Sequence, residues 1–227
     1  MNQKKKKIYL IISTILCALI MSFIDGVIKP DYLIKSIIKV VLFLIVPLIY
    51  FLINKDETKE LKKLFLPRKK ELIISLILGL FVYLVIIGGY YILKDIIDFS
   101  GITENLTKDV GVNKDNFIFI AIYISFMNSL LEEFFFRGYA FINLKKQIPR
   151  KIAYTISAGL FALYHVGMTL EMFNIGLFIL SLIGLYIGGV IFNILNEKFE
   201  NIYCSWLVHM FANFAINTIG LILFGII

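Results

Sequence analysis

Long runs of apolar residues, separated by short polar and charged segments, extend along the whole chain. The runs lack the period-two alternation of membrane barrel strands, and several reach the roughly 20 residues that a helix needs to cross a bilayer. Only helices and closed barrels satisfy their backbone hydrogen bonds in lipid, so the pattern predicts membrane-spanning helices. We place about seven spans, within a range of six to eight, at residues 8–23, 33–53, 72–93, 117–145, 152–164, 172–195 and 202–227.

These spans predict an all-α fold, a polytopic transmembrane helical bundle. No internal repeat, low-complexity tract or second domain is visible. Residues 1–115 form N-terminal helices and loops, and residues 116–227 form a core that carries the candidate chemistry, both within one integrated membrane domain. The second span is interrupted by Lys35 and Lys39, which we interpret as side chains that extend to the membrane interface.

Composition agrees with a membrane location. Of the 227 residues 59% are hydrophobic and 17% are charged, whereas soluble domains are about 45 to 50% apolar. The net charge of +7 is, in so apolar a chain, typical of cytoplasmic loops, so we exclude nucleic acid as a partner. The two cysteines offer neither a disulfide framework nor a zinc-ligand spacing.

The basic residues also predict the orientation. With the N-terminus inside and seven spans, the inside segments hold 16 of the 23 Lys and Arg residues and the outside segments hold 6. Basic residues accumulate in cytoplasmic loops. We therefore expect an integral protein of a cell membrane with its N-terminus in the cytoplasm and its C-terminus outside.

Two adjacent carboxylates, Glu132 and Glu133, stand with Arg137 inside the fourth predicted span. A charged side chain at the centre of a membrane helix costs about 2.5 to 3.5 kcal/mol on insertion scales, so such residues are rare and usually functional. Glu133 and Arg137 have i and i+4 spacing with the acid first, the order that favours an ion pair. Glu132 points about 100° away from Glu133. The Glu133–Arg137 ion pair therefore does not explain why a second carboxylate stands at position 132.

The chain contains two histidines, His165 and His209, and both fall in predicted helices. Asn213 follows His209 by one helical turn. Counted inward from the cytoplasmic helix ends at about 1.5 Å per residue, Glu133, the histidines and Asn213 lie roughly 12 to 21 Å deep. Three helices therefore bring polar groups to a similar layer, which predicts one polar pocket reached from the inside face.

A carboxylate and an imidazole that share a water form a general-base pair, and a histidine with an asparagine supplies donors for an oxyanion. Such a pocket could hydrolyse an amide. Neither a Gly-x-Ser-x-Gly elbow nor a His-Glu-x-x-His zinc motif is present. We expect no cofactor, but zinc held by Glu132, His165 and His209 stays open, because a carboxylate and two imidazoles form a known catalytic zinc set.

The order of these residues resembles the CAAX protease and bacteriocin-processing (Abi) family of intramembrane endopeptidases, which is related to the type II CAAX prenyl endopeptidase. The resemblance covers about the last 110 residues, and residues 1–115 lie outside it. It is carried by three motifs: Glu132-Glu133-x-x-x-Arg137, Phe161-x-x-x-His165 and His209-x-x-x-Asn213.

The resemblance implies a helical membrane core with a site open to the cytosol. It implies that Glu132 activates water with His165 and that His209 and Asn213 form the oxyanion hole. It also implies that Glu133 and Arg137 organise the pocket. Members have been described both as metalloproteases and as glutamate-dependent proteases, and the residues favour the latter. A chain this short, without accessory domains, fits a prokaryotic member.

Three functions stay open at this point. The first is a peptidase that cuts a peptide or a membrane protein near the inner face, and it depends on Glu132 and His165. The second is a non-catalytic membrane partner, such as a bacteriocin-immunity or sensor-regulating protein, which would keep its effect without these side chains. The third is an ion or proton carrier that uses the same acids and histidines as a relay. The lipid bilayer is the expected surrounding in each case.

Overall fold

The computed structural model describes residues 1–99, 101–172 and 174–227, and within these ranges it is helical without any strand. The predicted all-α bundle is confirmed. Ser100 of the predicted outside loop and Phe173 of the predicted sixth span lie outside the described residues. The helices, in order, are α1 (Gln3–Ile28), α2 (Tyr32–Ile53), α3 (Lys55–Leu64), α4 (Lys69–Leu93), α5 (Gly101–Val110), α6 (Phe117–Leu144), α7 (Arg150–Tyr164), α8 (Val166–Met172), α9 (Ile175–Phe199) and α10 (Ile202–Leu223).

Six helices of the described ranges are long and apolar enough to cross a membrane: α1, α2, α4, α6, α9 and α10. This number lies within the predicted range of six to eight. The predicted span at 152–164 is divided, because α7 has 15 residues, α8 has 7, and His165 separates them. Neither piece alone reaches the length of a spanning helix.

Together, α7 and α8 still run from one face of the bundle to the other. Arg150, at the start of α7, donates to Glu197 near the end of α9, with Nη2 2.6 Å from Oε2. The α8 helix ends two residues before Asn174, whose side chain caps the start of α9. The broken pair therefore follows α9 along its length in the antiparallel direction and supplies a seventh pass through the bundle.

The four segments predicted to lie inside do share one face of the bundle. Glu57 of α3 accepts hydrogen bonds from Lys6 at 3.2 Å and from Lys146 at 2.8 Å. Asn201 donates to the carbonyl of Leu66 at 2.9 Å. Partial burial acts to raise the pKa of Glu57, but the bonds and charges of the two lysines outweigh it and hold the pKa below the ordinary value. Which side of a bilayer this face meets remains a prediction.

Helix α6 lies at the centre of the bundle. Every residue from 132 to 144 is buried, in contrast to α4, whose apolar side chains are mostly exposed. Its aromatic side chains pack on α2 and α7: Phe135 stacks on Phe43 with ring centres 4.2 Å apart, and Phe136 stacks on Tyr164 at 5.4 Å. Helices in lipid associate mainly through such packing contacts and through hydrogen bonds.

The start of α8 is held against α1 at a point where only glycine fits. The backbone N–H of Gly167 donates to Ser22 Oγ at 3.1 Å. A Cβ atom on Gly167 would lie 1.9 Å from the carbonyl oxygen of Ser22, and a Cβ on Gly26 would lie 2.9 Å from the Gly167 backbone. This close approach lies two residues after His165, at the point where α7 ends and α8 begins.

Candidate active site

The two adjacent carboxylates stand in a short α-helical stretch of α6, Ser129–Glu133, with π-helical turns on both sides. Such wide turns alter the direction of the side chains that follow, and they are frequent at functional sites. Both carboxylates are buried, with Glu132 1% exposed and Glu133 0% exposed. Charged groups at this depth require partners, and the two residues have different ones.

Glu133 forms the predicted ion pair with Arg137, whose Nη1 lies 3.0 Å from Oε1. The same oxygen accepts a hydrogen bond from His209 Nδ1 at 3.0 Å. The guanidinium also donates through Nη2 to the carbonyl of Gly189 at 3.3 Å, and it lies 4.4 Å from the centre of the Phe161 ring. These contacts connect α6 to α7, α9 and α10.

Glu132 receives three donors on a single oxygen. Its Oε1 accepts from Lys39 Nζ at 3.2 Å, from Asn128 Nδ2 at 2.6 Å and from the hydroxyl of Tyr164. Lys39 also donates to Asn128 Oδ1 at 2.8 Å, so the three side chains form one connected group. Oxygen Oε1 therefore accepts all the hydrogen bonds that the described residues make to this carboxylate.

The second oxygen, Glu132 Oε2, has no hydrogen-bond partner among the described residues and lies 3.6 Å from His209 Nε2. The other ring nitrogen, Nδ1, carries the proton that it donates to Glu133, so Nε2 of the neutral ring is an acceptor. Glu133 Oε2 also lacks a hydrogen bond within the described ranges.

His165 lies at the end of α7, where its Nδ1 donates to the carbonyl of Phe161 at 2.7 Å. The carbonyl can only accept, so this contact leaves Nε2 as the acceptor of the neutral ring. Its ring centre is 4.0 Å from that of Tyr164. Within the described residues His165 and Glu132 share no hydrogen bond, and the neighbouring Tyr164 makes the direct contact with Glu132.

Asn213 follows His209 by one turn on α10, as the sequence indicated, but its amide is directed at the backbone of α6. Nδ2 donates to the carbonyl of Ile124 at 3.3 Å, in the first π-helical turn before the carboxylates. Asn213 thus lies beside the site. Of the six predicted residues, the structure brings Glu132, Glu133, Arg137 and His209 into direct contact, and it places His165 and Asn213 at the edge.

Sequence reasoning missed three further residues that contact Glu132: Lys39, Asn128 and Tyr164. The expectation that Lys39 reaches the interface is wrong, since its side chain is buried and turned inward to a carboxylate. Its position within an apolar run was itself a signal, because a lysine there requires an acidic partner. Asn128 stands four residues before Glu132, a spacing that also places the two on one helix face.

The described residues contain no group of three His, Cys, Asp or Glu side chains arranged to hold a metal ion. In the predicted set of Glu132, His165 and His209, three donors occupy Oε1 of Glu132, and His165 Nδ1 is bonded to the carbonyl of Phe161. The metal dependence of any reaction stays a prediction.

Comparison with known proteins identifies the second half of the chain. A family model described as type II CAAX prenyl endopeptidase Rce1-like matches residues 114–215. The search of curated proteins and the search of solved structures found no match. The matched segment contains the adjacent carboxylates, the arginine, both histidines and Asn213, which are the residues that carried the resemblance. Over residues 114–215 this integral membrane protein is therefore similar to the type II CAAX prenyl endopeptidases, as the order of its motifs indicated.

Proposed function

We propose that this protein is an intramembrane endopeptidase that hydrolyses a peptide bond of a peptide or membrane-associated protein near the cytoplasmic face. The match of residues 114–215 to the type II CAAX prenyl endopeptidase family model supports proteolysis in general. The observation that carries the particular mechanism is the geometry of Glu132, a buried carboxylate with one oxygen held by three donors and the other directed toward an imidazole nitrogen.

In this mechanism Glu132 acts as general base through Oε2. A water bound there loses a proton to the carboxylate as its oxygen attacks the carbonyl carbon of the scissile bond. His165 assists, because its Nδ1–H is fixed on Phe161 and its Nε2 is free to accept the second hydrogen of that water. Glu132 then returns the proton to the leaving amine, which completes the hydrolysis.

The attack places negative charge on the former carbonyl oxygen. We assign the stabilisation of this oxyanion to His209 and Asn213, which stand one turn apart on α10. His209 is held in place by Glu133 on one side and by stacking on Phe192, with ring centres 5.0 Å apart. It can donate from Nε2 when that nitrogen carries a proton, while the Asn213 amide would have to leave its bond to Ile124.

Glu133 and Arg137 act on the reaction through other residues. Their ion pair fixes His209 Nδ1 and, through Gly189, the distance between α6 and α9. No metal takes part in this mechanism. Glu132→Gln and His165→Ala should each lower the rate of cleavage at least 100-fold, since general bases contribute roughly 10²- to 10⁴-fold.

The test uses the purified protein in liposomes, with a quenched fluorescent peptide library and one CAAX-type peptide offered with and without a prenyl group. Glu57→Gln, which changes an equally partnered carboxylate at the face of the bundle, is the matched control and should cleave normally. Cleavage should persist in a chelator such as 1,10-phenanthroline. Normal cleavage by Glu132→Gln or His165→Ala would refute the mechanism.

The same experiment separates the alternatives. Cleavage of only the prenylated peptide would assign the protein to the prenyl-protein branch, and equal cleavage of both peptides would assign it to general peptide processing. A protein that cleaves nothing but retains its effect in cells after Glu132→Gln would be a non-catalytic membrane partner.

A further inference from the structure

Lys39 reaches the candidate active site from a helix outside the family match. It lies on α2, more than 70 residues before the matched segment 114–215 begins. Its side chain is only 8% exposed, and its Nζ lies 5.2 Å from the centre of the Tyr164 ring. A lysine buried in a membrane helix is costly unless it is paired. Its partner here is the carboxylate on which the proposed hydrolysis depends.

We infer that Lys39 is a positioning residue, whose ammonium keeps Glu132 ionised and holds its Oε1 so that Oε2 is presented to the reacting water. This inference rests on the proposed function. All three donors to Glu132, from Lys39, Asn128 and Tyr164, converge on one oxygen, so the carboxylate cannot rotate without breaking three hydrogen bonds. The oxygen left for catalysis is set by this arrangement.

The charges of the site support the same assignment. Lys39 balances Glu132 as Arg137 balances Glu133, so the buried site carries no net charge before a histidine takes up a proton. Without Lys39 the site would hold an uncompensated carboxylate, which a buried environment disfavours. The charged and titratable groups around Glu132 are Tyr32, Lys35 and Lys39 of α2, Glu133 and Arg137 of α6, Tyr164 of α7, His165 after it, and His209 of α10.

The chain offers a matched control one helical turn away. Lys35 is partly buried on α2, with its side chain 11% exposed, and its Nζ lies 2.8 Å from Asp25 Oδ1. It forms an ion pair of the same chemical type on the same helix, but it does not contact Glu132. The double variant Asp25→Asn/Lys35→Met removes this pair without leaving an unpaired acid.

Lys39→Met keeps the length of the side chain and removes the charge. We expect the rate of cleavage at neutral pH to fall tenfold or more, and the acidic limb of the profile of kcat/KM against pH to move up by about 1 to 3 pH units. Lys39→Arg, which retains the charge, should restore the position of that limb. In the control Asp25→Asn/Lys35→Met the acidic limb should lie at the same pH as in the unchanged protein.

A second measurement is independent of activity. Infrared difference spectra between acidic and neutral pH detect the protonated carboxyl group, and Glu132→Gln assigns its band. The band of Glu132 should be absent at neutral pH in the unchanged protein and present in Lys39→Met.

The inference is overturned if Lys39→Met has the same acidic limb of the kcat/KM profile and the same infrared band as the unchanged protein. A fall in activity alone would then mean that Lys39 contributes packing and not charge. The inference is also overturned if Lys39→Arg behaves like Lys39→Met. If the unchanged protein cleaves no peptide, the proposed function fails, and the infrared band still decides whether Lys39 keeps Glu132 ionised.

Discussion

Glu132 and Glu133 are neighbours on one helix, equally buried, and yet they obtain their counter-charges in opposite ways. Glu133 pairs with Arg137, one turn further along α6 and within the family-matched segment. Glu132 pairs with Lys39, which lies 93 residues away on α2 and outside that segment. One pair is built into a single helix, and the other exists only when two helices pack together.

The two ion pairs respond differently to a movement of the helices. Glu133 and Arg137 stand on the same helix, so their pair needs no other helix and suits a structural task such as the support of His209. The Glu132–Lys39 pair depends on the position of α2. Any movement of α2 relative to α6 would therefore change the charge balance at Glu132 while Glu133 keeps its partner. The N-terminal helices are thus joined to the chemistry of the matched core.

The largest expected effect comes from breaking the local pair. Arg137→Met leaves Glu133 buried without its counter-charge, and removal of one partner of a buried pair costs about 3 to 5 kcal/mol. We expect a large fall in the midpoint of thermal unfolding, measured on the detergent-solubilised protein. The double variant Glu133→Gln/Arg137→Met removes both charges and should recover much of that loss. A midpoint equal to that of the unchanged protein in Arg137→Met would show that the pair has no structural role.

A smaller effect is expected at the neighbouring carboxylate. Tyr164→Phe removes one of three donors to Glu132 but keeps the ring that stacks on Phe136. Hydrogen bonds to charged groups contribute about 1.5 to 3 kcal/mol. Because 1.36 kcal/mol corresponds to about a factor of ten in rate, we expect kcat to fall tenfold or more, together with a fall in the unfolding midpoint smaller than that of Arg137→Met.

The matched control for this variant is Tyr154→Phe on the same helix. Tyr154 donates to the carboxylate of Glu197 at 2.5 Å, near the face of the bundle. Its loss should leave kcat unchanged. Equal rates for Tyr164→Phe and Tyr154→Phe would contradict a role for the Tyr164 hydroxyl in holding Glu132.

The same contrast explains what could be predicted from the sequence. Spacing predicted the Glu133–Arg137 pair, because both residues share one helix and its period is known. Depth along each helix predicted that both histidines and Asn213 would share a layer with the carboxylates, and within the described residues His209 is the one of these that contacts both. Neither approach could find the contact of Lys39 with Glu132, because no period relates α2 to α6. Neither could find the break before α8, which lies where Gly167 contacts Ser22. Interactions between distant helices require the packing itself.

The smallest expected effect lies at the face of the bundle, where Glu57 pairs with Lys6 and Lys146. Glu57→Gln should lower the free energy of unfolding by about 1 kcal/mol at neutral pH, as is usual for partly exposed ion pairs. The pKa of Glu57 is lower in the folded protein than its ordinary value of 4.5. Its contribution is therefore complete above pH 4.5 and is lost as the pH falls through the folded pKa. Unfolding midpoints of the two proteins should differ at pH 7 and converge in acid, and a difference that persists in acid would mean that the glutamate acts by packing and not by charge.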